Sequence, residues 1–151
     1  MTGRTVTAAA LVTLVVATAC GNHEFEPPDT QARIDRAGAA YSSALFDTVS
    51  WSDEATQVTQ GNAVYAAECR RCHGPLGQGG TDYARQRNLS VPSLVVADWP
   101  FATTDSLRHM IYTGHEGGMP VFGDGDLTLR EIDATAAYIL LTLRPDVLEQ
   151  D

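Results

Sequence analysis

Two thiols separated by two residues and followed at once by an imidazole, Cys69-Arg70-Arg71-Cys72-His73, are the side chains here best placed to do chemistry. The spacing Cys-x-x-Cys-His is that of c-type haem attachment: each thiol adds across a vinyl group of the porphyrin and leaves a thioether. The histidine then offers its imidazole to the iron. One turn of helix, at roughly 1.5 Å rise per residue, sets that geometry. Two other chemistries use paired cysteines. A structural zinc site needs about four ligands, but the chain has no second Cys pair, and His23, His109 and His115 are scattered. A thioredoxin-like redox pair calls for a βαβ setting, and no such pattern flanks Cys69. A single attachment motif means a single covalent haem c.

The elements around this motif divide the chain into three. Residues 1–19 read as a secretory signal peptide: Arg4 supplies a positive start, Val6 to Ala17 is apolar, and small residues lead into Cys20. The apolar run is shorter than the roughly 20 residues a membrane span needs. Ala17-Thr18-Ala19-Cys20 resembles a bacterial lipobox, with Ala17 where a large aliphatic residue is usual. On that reading Cys20 becomes the lipidated first residue and anchors the protein to the bilayer. The alternative is a plain signal that leaves Cys20 a free thiol. Either way the protein is exported, and the lipid places it on the periplasmic side of the membrane. Lipid on Cys20 and haem on Cys69 and Cys72 use all three cysteines, so none remains for a disulfide.

Residues 20–55 read as a tether. Glu24 to Asp29 is acidic and carries Pro27 and Pro28, so it is expected to be extended. Arg33 to Phe46 has Ile34, Ala37, Tyr41 and Leu45 at helical spacing. It reads equally as a helix lying on the domain or a partner, and as a transient helix in a flexible linker.

Residues 56–151 read as one small all-α domain. The first helix is expected over Thr56 to Cys72, with Val58, Gly61, Tyr65 and Cys69 on one face. Gly61 costs that helix roughly 1 kcal/mol against Ala, which close approach of another helix would explain. A middle helix is expected over Asp105 to Tyr112, ended by Gly114. The capping box Thr128-Leu129-Arg130-Glu131 starts the last helix, and Arg144-Pro145 is expected to stop it. A core this small is short of apolar area. A covalent porphyrin offsets the deficit.

Taken together, Gly61 and Tyr65 before the motif, Tyr138 on the last helix, the glycine loop Gly74 to Gly80, Val91-Pro92-Ser93-Leu94 and Gly117-Gly118-Met119-Pro120 resemble a class I cytochrome c over about 90 residues. The resemblance implies that the first and last helices cross at Gly61. It implies that the Pro92 carbonyl receives the free N–H of His73, fixing its tautomer. It also implies that Met119 supplies the second iron ligand. The physics agrees: glycines allow close backbone approach, and a thioether favours ferrous iron and raises the potential. His115, four residues earlier, is the competing ligand and would lower the potential; an open iron position is the third possibility. Met110, between Leu107 and Ile111, reads as core packing. Trp99 reads either as a closing core aromatic or as a donor to a haem propionate. Arg108 reads as an exposed helix charge, with a propionate partner as the alternative. Arg70 and Arg71 read as solvated charges or as a local positive spot.

The formal charge is −9, and every basic residue is arginine. Nucleic acid is therefore excluded as a partner, since phosphate neutralisation needs a basic face. An acidic surface either steers a basic partner or simply keeps the protein soluble. A haem held on both sides implies a one-electron carrier and not an enzyme. The expected neighbours are membrane redox complexes: a quinol-oxidising complex, a terminal oxidase or a photosynthetic reaction centre. An open or displaceable iron position would instead imply a peroxidase-like enzyme or a gas sensor.

Overall fold

The computed structural model describes residues 29–149; the expected signal peptide, Cys20 and the acidic stretch up to Pro28 lie outside them. Among the described residues there are helices and loops and no β-strand, as expected of an all-α cytochrome c fold. Helix α1 (Thr30–Ala40) is capped by Asp29, whose carboxylate accepts the Gln31 N–H at 3.0 Å. A 3₁₀ turn follows at Ser43–Phe46. Helix α2 (Glu54–Val64) starts two residues earlier than expected, because Asp53 caps it through the Thr56 N–H at 2.7 Å. It runs on through a π turn (Tyr65–Cys69) into α3 (Arg70–His73), which Gly74 ends. Helix α4 (Asp82–Gln86) is a short turn capped by Thr81. Helix α5 (Thr104–Thr113) begins in a capping box between Thr103 and Ser106. Helix α6 (Leu129–Tyr138) begins in the expected box between Thr128 and Glu131.

Arg144-Pro145 does not stop the last helix. The chain passes through a second π turn (Ile139–Leu143) into α7 (Arg144–Leu148). Pro145 sits in the first turn of α7, where its missing N–H costs nothing because first-turn donors have no intrahelical partner.

The core is organised by the crossing of α2 on α6, the most extensive contact between any two elements. A Cβ on Gly61 would lie 2.0 Å from the Ala134 carbonyl oxygen, so the two backbones touch at this point. One turn on, Tyr65 and Tyr138 pack ring against ring at 5.4 Å. The expectation drawn from Gly61, Tyr65 and Tyr138 is met at this contact.

The stretch before residue 56 is part of the same compact unit from Thr30 onward, which corrects its reading as a tether. Its aromatic residues explain why. Phe46 is buried in the core, and Tyr41 packs on His109 and Tyr112 while its hydroxyl donates to Asp105 at 2.8 Å. Arg33 pairs with Asp124 at 3.0 Å. Trp51 donates its indole N–H to Asp133 at 2.6 Å.

Asp133 is the polar centre of the fold. Only 1% exposed, it accepts from Trp51, from Gln57 of α2 at 2.8 Å and from Arg108 of α5, whose Nε lies at 2.8 Å. Arg108 thus pairs with a buried carboxylate and covers the Phe46 ring at 4.7 Å, so it is neither solvated nor directed to a propionate. Truncating one member of a buried pair strands the other charge, at a cost of roughly 3–5 kcal/mol. Asp133→Ala should therefore destabilise the protein by about 3 kcal/mol, because Arg108 keeps some solvent contact. A loss below about 1 kcal/mol in denaturant unfolding would show that the network is dispensable.

Candidate haem site

The helix that ends at His73 brings the paired thiols and the imidazole to the wall of a cavity of about 540 Å³. Cys69 and His73 are buried and line it. Cys72 is half-buried and lines an adjoining recess that shares Cys69, His73, His115 and Met119 with the main cavity. The π turn contributes to this placement: one added residue per turn re-aims the side chains on either side, as π bulges at functional sites do. The Tyr65 hydroxyl then reaches the Gly74 carbonyl at 2.8 Å and holds the end of the motif. The remaining walls are mainly apolar: Leu94, Trp99, Leu107, Ile111 and Ile139.

Burial sets the chemistry of these groups. It pushes the Cys69 thiol up to about 12, with the Glu68 and Cys72 charges adding to the effect. A thiol held so firmly protonated is unsuited to redox exchange or to zinc, both of which use the thiolate. No cluster of three or more metal-binding His, Cys, Asp or Glu side chains occurs among the described residues. Burial, followed by the neighbouring His115, pushes His73 down to about 4, against a smaller opposing influence from the Pro92 backbone. The imidazole is therefore neutral at physiological pH, with a lone pair available for a metal. Its Nδ1 is buried and makes no hydrogen bond of ordinary geometry. Pro92 shares the cavity wall with His73 and acts on the ring, but the bond between them is not closed.

Met119 faces the same cavity on a tight loop. Gly114 ends α5 at φ +65°, and a Cβ there would lie 2.4 Å from the Pro120 carbonyl oxygen. The chain therefore folds back on itself directly after the helix. His115 and Met119 close the loop with mutual backbone hydrogen bonds of 3.2 and 3.3 Å. The His115 ring also lines the cavity, and its Nδ1 accepts the Gly117 N–H at 3.1 Å. Burial lowers the His115 pKa, partly opposed by Glu116.

Several placements escaped the sequence. Met110, expected in the core, is partly exposed and lines the cavity; its spacing from Leu107 puts both on one helix face, which was the available signal. Trp99 is buried in the cavity wall, edge-on to Phe101 at 5.8 Å. The Arg144 guanidinium lies 4.8 Å over its ring, and Arg144 is itself buried, donating to the carbonyls of Leu94 and Val96. No local pattern marks that role.

Residues 56–139 match the family described as cytochrome c oxidase, cbb3-type, subunit III. The chain belongs to this family. Comparison with curated proteins and with solved structures gives no match. The cbb3-type match identifies a class I cytochrome c domain, which binds haem and carries electrons. The residues present fit that group. A ligand-sized, largely apolar cavity has two thiols at its edge, a neutral imidazole with an unpaired buried nitrogen, and a thioether.

Proposed function

We propose that this cytochrome is a one-electron carrier in which Cys69 and Cys72 hold one haem c covalently, and His73 and Met119 are the two protein ligands of its iron. The bound haem supplies one-electron exchange between ferric and ferrous iron. The observation that carries this ligand set is the hydrogen bond from the Gly117 N–H to His115 Nδ1. In a neutral imidazole whose Nδ1 accepts, Nε2 carries the proton and has no lone pair for iron. His115 is thus committed to the loop, while the Met119 thioether and His73 share the cavity. With two protein ligands on the iron no position remains for a substrate, which favours a carrier over a peroxidase or gas sensor. The apolar wall of Leu94, Trp99 and Ile139 excludes water and so favours the less charged ferrous state.

The His73 environment makes this ligation resistant to acid. An imidazole whose pKa is lowered from 6.5 to about 4 competes with a proton only near the lower value. The visible spectrum should therefore be unchanged from pH 7 down to about pH 5, where an ordinary histidine is already protonated. Loss of the low-spin spectrum above about pH 5 would contradict the assignment.

The same reading places the protein on the periplasmic side of the membrane, anchored by lipid on Cys20. Cys20→Ser should then release it into the soluble fraction, and retention in the membrane would count against lipidation. Among the expected neighbours, the family's own name favours a terminal oxidase over a quinol-oxidising complex or a reaction centre. Isolation of the native complex in mild detergent, followed by potentiometric titration, tests the carrier role. A single reversible one-electron transition, in a protein that copurifies with an oxidase, is expected. Turnover of peroxide by the isolated protein would favour an enzyme.

A further inference from the structure

The charge on this protein is unevenly placed. Between residues 68 and 90 there are four arginines and two acids, within a chain whose formal charge is −9. The four are Arg70, Arg71, Arg85 and Arg87, all exposed. Structure gathers them further. Helix α4 packs against α3, and the Thr81 hydroxyl donates to the Arg71 carbonyl at 2.8 Å, fixing α4 beside the attachment motif. Tyr83 is held between two of the guanidiniums, with Arg71 at 4.4 Å and Arg87 at 3.9 Å from its ring centre. Arg85 is tied to Asp82 and to the Gly80 carbonyl. Arg70 makes no side-chain hydrogen bond or ion pair among the described residues. Two cations stacked on one ring are pre-organised, so less side-chain entropy is lost when they meet a partner. A planar guanidinium also matches a carboxylate in two-point contact.

We propose that the Arg70, Arg71, Tyr83 and Arg87 face is the docking surface for a carboxylate-rich patch on a protein redox partner. This rests on the carrier reading above. Arg70 and Arg71 lie between the two attachment cysteines, so a partner held on this face sits next to the porphyrin edge. Electron transfer falls steeply with distance, which makes that position the useful one. An anionic bilayer fits less well: a broad negative surface meets the whole acidic body, whereas a protein patch meets only the arginine face. The body's net charge would steer the opposite way, toward basic partners. The sign of the salt dependence separates the two.

The test is the rate of reduction of the haem-loaded ferric protein by hexacyanoferrate(II), a small anionic reductant, as ionic strength is raised. Between about 0.01 and 1 M salt the screening length falls from about 30 to about 3 Å. The docking face predicts that the rate falls with salt, against the net charge of the molecule. It also predicts that Arg70→Glu, which disturbs no side-chain contact, and the double variant R71Q/R87Q each slow the low-salt rate by roughly tenfold. Their haem spectra should be unchanged. An independent readout is NMR titration of the loaded protein with an Asp/Glu-rich peptide, in which the amides of Arg70, Arg71, Tyr83 and Arg87 should shift. A rate that rises with salt, or is indifferent to both variants, overturns the docking face while leaving the carrier reading intact. Cosedimentation with phosphatidylserine vesicles that is lost in the variants would reassign the face to the membrane and overturn it too. A protein that carries no haem, or exchanges no electrons with this reagent, overturns the carrier reading and the docking face with it.

Discussion

Met119→Ala should leave haem attached and lower the reduction potential by on the order of 0.1 V, a fraction of the roughly 0.8 V range that axial ligands set. Attachment is unaffected because it depends on Cys69 and Cys72, which lie on a different element. The potential falls because a thioether stabilises ferrous iron and alanine has no donor to replace it. The loop around residue 119 should survive, since it is closed by backbone hydrogen bonds between positions 115 and 119. His115 should not take over, because its Nδ1 is occupied by the Gly117 N–H. The variant iron should therefore bind carbon monoxide, which the parent should not. Redox titration and carbon monoxide difference spectra check both points. A variant with the parent's potential and spectrum would remove Met119 from the ligand set.

The second large effect is expected at Gly61. By helix propensity alone, Gly61→Ala should stabilise α2 by roughly 1 kcal/mol. The crossing predicts the opposite sign. The added Cβ would lie 2.0 Å from the Ala134 carbonyl oxygen, 2.5 Å from its carbonyl carbon and 2.8 Å from the Tyr138 Cβ. Two of these atoms are backbone and cannot turn aside, so the helices must separate. Overpacking of this kind costs roughly 1–3 kcal/mol and occasionally more. Gly61→Val, with two further carbons, should exceed that range and remove much of a stability that is typically about 5–15 kcal/mol. Thermal unfolding of the loaded protein reads both variants. A raised melting temperature in Gly61→Ala would show that the crossing is looser than described.

The parts of this fold legible in the sequence are those with a local chemical cause. Thr128 and Glu131 satisfy each other's backbone donors within four residues, so the start of α6 is visible without its surroundings. Gly74 and Gly114 mark helix ends because each backbone takes a positive φ there. Gly61 was readable as a contact because glycine in a helix has a cost that something must offset.

What escaped depends on distant partners. Nothing in Tyr65 to Cys69 or Ile139 to Leu143 distinguishes a π turn from an α turn, and the second of these carries the helix past Pro145. Tyr41, Phe46 and Trp51 sit in a polar stretch with proline-bearing sequence before it, and their burial follows from meeting α5 and Asp133. Arg108 and Arg144 resemble any surface arginine until Asp133 and the Leu94–Val96 carbonyls are placed beside them. At the site, the attachment motif was complete in the sequence. The contest between Met119 and His115 was not, because it turns on which ring nitrogen the loop uses.

The most direct measurement is the absorption spectrum of the purified ferric protein, before and after reduction under carbon monoxide. Coordination by His73 and Met119 predicts a low-spin ferric spectrum with the weak far-red band of a thioether–iron bond, and no spectral change with carbon monoxide on reduction. A high-spin ferric spectrum, or rapid carbon monoxide binding, would contradict it.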